Sequence, residues 1–172
     1  KDAAENILFE TSSNFTISAN SEKSVLEKIR VETPKLWSPD SPSLYKAEIS
    51  VLDEEVLIDS KTAVFGIRTI KLTDTGFFLN GEKVFLNGTN RHQEYPYIGY
   101  ALSDEAQYRD AKKIKEAGFN FVRLSHYPHS EAFMRACDEL GLLVMNCIPG
   151  WQFIGDEEFI KNSVQDVKDL VR

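Results

Sequence analysis

The chain has 172 residues, of which 42% are hydrophobic and 27% charged, and its formal net charge is −7 at pH 7. That length holds one or two domains with a buried core. The acidic balance excludes the basic footprint of a nucleic-acid or anionic-membrane binder, and no apolar run approaches the ~18 residues that a membrane-spanning helix needs.

From its start the chain reads as β-structure. Lys1-Asp2-Ala3-Ala4-Glu5 is polar, unlike a signal peptide, and with no initiating Met the expectation is a piece cut from a longer protein whose compartment stays open. Short β-prone runs at 7–9 and 15–17 flank Thr11-Ser12-Ser13-Asn14, and another covers 25–31. The Pro-rich stretch 34–42 cannot be helical and suits a loop crossing the end of a sandwich. Tyr45, Ala47, Ile49 and Val51 alternate with more polar neighbours, which predicts a strand with one buried face. Runs at 56–58 and 63–70 complete the pattern of an antiparallel sandwich with few strands. Two apolar runs then flank Asn80-Gly81 within 77–86, a strong hairpin signal.

After the hairpin the period changes. Ser103 is placed to cap a helix with Asp104 and Glu105 in its first turn and Tyr108, Ala111 and Ile114 on one stripe, stopped by Gly118. Residues 119–124 predict a strand covered on both faces. Ser130 caps a second helix with Phe133, Cys137 and Leu140 on its stripe and Gly141 as the stop, and 142–145 is a strand. Asp156 caps a third helix in which Ile160, Val164, Val167 and Val171 keep helical spacing. Alternating strands and helices imply parallel pairing with right-handed crossovers. Asn87-Gly88-Thr89-Asn90-Arg91-His92 offers no Gly-rich phosphate turn, which argues against an open doubly wound sheet. A (β/α)8 barrel takes about 250 residues, so the barrel expected here is an incomplete one.

All three histidines follow strands, where α/β folds bind ligands. His92 follows a strand expected to end near Leu86, and His126 and His129 follow the one ending at Leu124. A lone histidine is more often a satisfied surface or core residue; two at one edge, each beside Arg or Asn, put a pocket reading level with that one. Zinc is disfavoured, because Tyr127-Pro128 separates His126 from His129 and no Cys or carboxylate completes a ligand spacing. Arg123 puts a charge into an apolar strand, either as a structural ion pair or as the group that keeps a catalytic carboxylate ionised. Trp151 either stacks on a sugar or caps a core. Cys137 and Cys147 read as buried free thiols, and neither Asn14 nor Asn87 is read as a glycosylation site.

Leu36-Trp37-Ser38-Pro39, Phe65-Gly66-Ile67-Arg68 and Phe78-Leu79-Asn80-Gly81-Glu82 carry a family likeness. It is strongest at Gly88-Thr89-Asn90-Arg91-His92 and Val122-Arg123-Leu124-Ser125-His126-Tyr127-Pro128, and it extends to Pro149-Gly150-Trp151-Gln152. These stretches resemble the family-two glycoside hydrolases, the group of β-galactosidases, β-glucuronidases and β-mannosidases. The resemblance implies an upstream jelly-roll sugar-binding domain, then an immunoglobulin-like sandwich, then a catalytic barrel. It implies a retaining mechanism with two glutamates on later barrel strands. It assigns His92 and His126 to hydrogen bonds with the sugar at the cleavage point, and Arg123 to contact with the nucleophile. Some β-galactosidases place a magnesium-binding glutamate after the third strand; Met145-Asn146-Cys147 departs from that pattern, and neither metal nor cofactor is assigned.

The expectation is therefore an immunoglobulin-like sandwich segment over 1–70 and the first three βα units of a TIM barrel over 71–172. Its parent would be an exo-β-glycosidase acting on terminal β-linked sugars, with His92, His126, Asn90 and Trp151 binding substrate, Arg123 behind the nucleophile, and no catalytic glutamate in this stretch. The fragment is expected to self-associate through its open edges. The rival reading is a non-catalytic carbohydrate-binding or adhesion module, for which the βα alternation after Ser103 has no use. A compact α/β hydrolase or transferase would need a nucleophile motif that is not found.

Overall fold

A computed structural model describes residues 1–150 and 152–171. β1 (Tyr45–Asp53) pairs antiparallel with β2 (Val56–Phe65) from Tyr45↔Phe65 to Asp53↔Val56. Of the face expected to be buried only Tyr45 is, Ile49 and Val51 staying exposed because no second sheet covers them among the described residues. Glu54 and Glu55 close the turn, both at the positive φ that two-residue hairpins use. The runs 56–58 and 63–70, expected as separate strands, differ from this: one strand continues through Asp59-Ser60-Lys61-Thr62 and stops at Phe65. The ladder with β1 carries the polar residues along with the apolar ones.

The strands expected at 7–9, 15–17 and 25–31 do not form among the described residues. Those segments pair with nothing in a ladder, and Ile7, Phe15, Leu26 and Ile29 stay exposed. A β-prone run becomes a strand only against a neighbour whose backbone and side chains it can meet.

Next comes an antiparallel sheet of β3 (Ile70–Thr73), β4 (Gly76–Leu79) and β5 (Glu82–Lys83). The Asn80-Gly81 hairpin joins β4 to β5 with both turn residues at positive φ. Ile70 opens β3 and pairs with Leu79, so it belongs with the hairpin rather than with β2.

The remaining elements are β6 (Gly88–Arg91), α1 (Asp104–Glu116), β7 (Phe121–Leu124), α2 (Glu131–Leu140), β8 (Leu143–Met145) and α3 (Glu157–Leu170). The three strands form a parallel sheet in the order β6-β7-β8. Each helix starts as its sequence dictates: Ser103 Oγ accepts from Ala106 N–H, Ser130 Oγ from Phe133 N–H, and the Asp156 carboxylate from Phe159 N–H. Gly141 ends α2 in the left-handed region, and a Cβ there would strike the Pro39 backbone.

Val122 and Leu124 bury one face of the sheet against Ala111, Phe133, Ala136 and Cys137 of the helices. The other face is not covered in the same way, which corrects the expectation of a strand covered twice. At the amino ends of the strands, Phe121 and Leu143 pack on a second cluster built from Trp37, Leu79, Phe77 and Leu86. At the carboxyl ends that face lies open. Trp37 locks the earlier segment to α2, its Nε1 donating to Asp138 O at 2.8 Å. Lys115 Nζ donates to Pro39 O (2.7 Å) and Gly141 O (3.0 Å). α3 buries none of its described residues, and Ile160, Val164, Val167 and Val171 remain exposed. No helix among the described residues is long and apolar enough to cross a membrane.

Candidate functional site

Register decides what meets at the carboxyl ends of the strands. Asn90 stands beside Arg123, and Arg123 beside Met145, on the row that faces away from the helices. Arg91 stands beside Leu124 on the helix side. The pairing runs on past the strands, since Ser125 N–H donates to Arg91 O at 2.8 Å. His92 and His126 therefore leave neighbouring strands at the same level. Their rings meet edge to face, 5.5 Å between centroids and 83° between planes. His92 thus follows β6 directly, whereas the sequence reading placed the preceding strand's end near Leu86; Gly88-Thr89-Asn90-Arg91, polar on both faces, carries no strand periodicity of its own.

Arg123 is half-buried and forms no ion pair among the described residues, so the structural-pair reading finds no partner here. With His126 it lines an open cleft of about 620 Å³, walled by Cys147, Pro149, Phe153 and Phe159. Asn90 and His92 are exposed beside that cleft and form no part of its wall. Burial, then the nearby Arg123 and His92, lowers the pKa of His126 below the usual histidine value. A neutral imidazole offers one donor and one acceptor, which suits a hydroxyl group. Trp151 lies outside the described residues.

Sequence reasoning missed the most heavily bonded charge at this edge. Arg91 is buried, with only 6% of its surface exposed. Its Nε and Nη2 donate to Asp110 Oδ2 (3.1 and 2.7 Å), Nη2 also to Gln107 Oε1 (2.8 Å), and Nη1 to His129 Nδ1 (3.0 Å). The guanidinium carbon sits 3.9 Å from the centre of the Phe133 ring. Tyr95 O–H donates to the second carboxylate oxygen of Asp110 at 2.6 Å. The available signal was spacing: Gln107 and Asp110 are three apart on α1, and Arg91 alternates with Asn90. His129 is buried as well, and burial followed by the charge of Arg91 pushes its pKa down to about 4.

Magnesium does not fit the end of β8 and the residues that follow it. Met145 and Cys147 present sulfur, and Asn146 Oδ1 accepts from Cys147 N–H at 2.9 Å, whereas Mg²⁺ demands oxygen ligands. Among the described residues no group of three or more His, Cys, Asp or Glu side chains could hold a metal ion.

Two family models match the chain. Residues 70–165 match glycosyl hydrolases family 2, TIM barrel domain, and residues 1–68 match glycosyl hydrolases family 2. A β-galactosidase of Thermoanaerobacter pseudethanolicus is 42% identical over 152 residues, covering 87% of this chain and 20% of its own. A putative β-glucuronidase of Formosa agariphila is 37% identical over 162 residues, covering 93% of this chain and 19% of its own. Among solved structures, an FMN-binding β-glucuronidase from Facaelibacterium prausnitzii superposes with a TM-score of 0.74 at 39% identity, covering 79% of this chain and 21% of that one. The chain spans about a fifth of the length of the curated relatives it matches.

Proposed function

Because the chain belongs to glycosyl hydrolase family 2, we propose that it is one part of a retaining exo-β-glycosidase and supplies the floor of the pocket for the terminal sugar. The observation that carries this reading is the meeting of His92 and His126, 5.5 Å apart at the carboxyl ends of adjacent parallel strands. We divide the chain as the sequence predicts, with 1–70 a segment of an immunoglobulin-like sandwich and 71–172 the first three βα units of a (β/α)8 barrel. Support comes from β3, which begins at Ile70 and turns to β4, and from three parallel strands each followed by a helix.

In this reading His92 and His126 hydrogen-bond sugar hydroxyls, Asn90 adds a polar group on the same rim, and Trp151 stacks on the sugar ring. Arg123, half-buried and without an ion-pair partner among the described residues, receives the nucleophilic carboxylate and holds it ionised. The mechanism needs two carboxylates about 5 Å apart. No Asn-Glu acid/base pair occurs in these residues, and in this reading both glutamates stand on later barrel strands.

Hydrolysis of nitrophenyl β-galactoside and β-glucuronide by the complete protein tests the reading, and the ratio of the two rates identifies the sugar. His92→Ala and His126→Ala should each lower kcat/KM by at least about tenfold, as expected for a lost hydrogen bond. Folded variants with unchanged kcat/KM would remove both histidines from the pocket. The 172-residue chain alone should show no turnover above a mock preparation. Its open sheet face and the bare stripe of α3 should also drive it to self-associate.

A further inference from the structure

We propose that Arg91 and His129 are positioning residues that fix how His92 and His126 face one another. The inference rests on the pocket reading only for its purpose; its geometry stands alone. His92 lies between two residues that are both bonded to the segment 125–130. Arg91 O accepts from Ser125 N–H at 2.8 Å. Gln93 N–H donates to Tyr127 Oη at 3.1 Å, and Gln93 Oε1 accepts from Ser130 N–H at 2.7 Å. His126 lies between Ser125 and Tyr127, so both histidines are bracketed by the same cross-links.

The fourth link is the side chain of Arg91, donating to His129 Nδ1 at 3.0 Å. It is the one anchored from behind, because the Asp110 fork and the Gln107 amide hold the guanidinium against α1. A lysine there keeps the charge but is a single point of donors that cannot reach α1 and the 125–130 segment together. His129 takes part as an acceptor. Since Nδ1 receives the guanidinium N–H, the ring proton sits on Nε2, and the ring must be neutral. A residue that only stabilised the fold would add to the melting temperature and leave the rings of His92 and His126 as they are.

The chain has three histidines, so a histidine-labelled sample gives three ring systems, each assignable by one substitution. In the unmodified chain, NMR should show a ring-to-ring NOE between His92 and His126, and His126 should titrate below the ordinary histidine value. Arg91→Lys and His129→Phe should each lose that NOE and move the His126 titration upward while far-UV circular dichroism keeps the helices. His129→Asn, whose amide oxygen can take the place of Nδ1, should restore both signals. If folded Arg91→Lys and His129→Phe keep the NOE and the titration, with only a lower melting temperature, the proposal is overturned. Should Arg91→Lys not fold, the His129 pair decides: identical Phe and Asn spectra overturn it, and loss in Phe with retention in Asn supports it. Ring geometry, and not sugar binding, is read throughout, so a failure of the pocket reading would leave this result untouched.

Discussion

His129 is held neutral beside a permanent cation, and that has a consequence for acid stability. Its unfolded pKa is the ordinary 6.5 and its folded pKa about 4, so between these values the unfolded chain binds the extra proton. Stability from this site is complete above pH 6.5 and is lost as pH falls toward 4, by about 3 kcal/mol in all. His129→Asn keeps an acceptor but cannot titrate. Urea unfolding of the two proteins should therefore give free energies that differ most steeply with pH across that window; parallel curves would mean that the ring is charged in the fold. Arg91→Ala should be costlier, about 3–5 kcal/mol, because it strands the Asp110 carboxylate and the His129 acceptor together. The cysteines differ in the same terms. Burial pushes the Cys137 thiol up to about 12, whereas Cys147, expected to be buried too, is only half-buried because it stands on the open cleft wall. Iodoacetamide should label Cys147 alone in the native protein, and Cys137 only on unfolding, as peptide mass spectrometry would report.

At the level of elements, local chemistry was legible and pairing was not. Ser103, Ser130, Asp156 and Gly141 act within four residues of themselves, so their caps could be read directly. The runs 7–9, 15–17 and 25–31 have the composition of strands, but whether a ladder forms depends on a distant partner that composition does not specify. β6 failed the opposite way: Gly88-Thr89-Asn90-Arg91 looks like loop, and its pairing with β7 makes it a strand. The meeting of His92 with His126 was anticipated from their strand-end positions, whereas the burial of Arg91 was hidden because a charged residue reads as exposed. Trp37 shows how far such links reach. It is fully buried, faces Arg68 at 4.5 Å, and bonds to α2 across 101 positions. Trp37→Ala should cost about 3–5 kcal/mol through lost packing and the abandoned carbonyl of Asp138. A thermal melt that stays within 1 °C or so of the parent's would contradict that, given the several degrees each kcal/mol moves a chain of this size.

For the whole molecule, the decisive feature is the asymmetry of the parallel sheet. Helices seal one face, while β6 and β8 stand at the edges and the other face opens toward the cleft. Ile160, Val164 and Val167 of α3, each about half exposed, extend this apolar surface. Light scattering at micromolar concentration should report species larger than a monomer, and Ile160→Lys combined with Val164→Lys should return the chain toward one. A clean monomer before substitution would show that the net charge of −7 keeps copies apart despite the exposed patch.

The link between Trp37 and Asp138 also sets a timetable. On a ribosome the tryptophan is made first, and its partner follows 101 residues later. At about 5–20 residues per second, that leaves the indole without its hydrogen-bond acceptor for roughly 5 to 20 seconds. Closing so long a loop must wait for α2, so the floor beneath the strands is completed late, after the helices that roof the sheet have had time to wind. During synthesis the stretch around Leu36-Trp37 is thus the natural landing place for a chaperone.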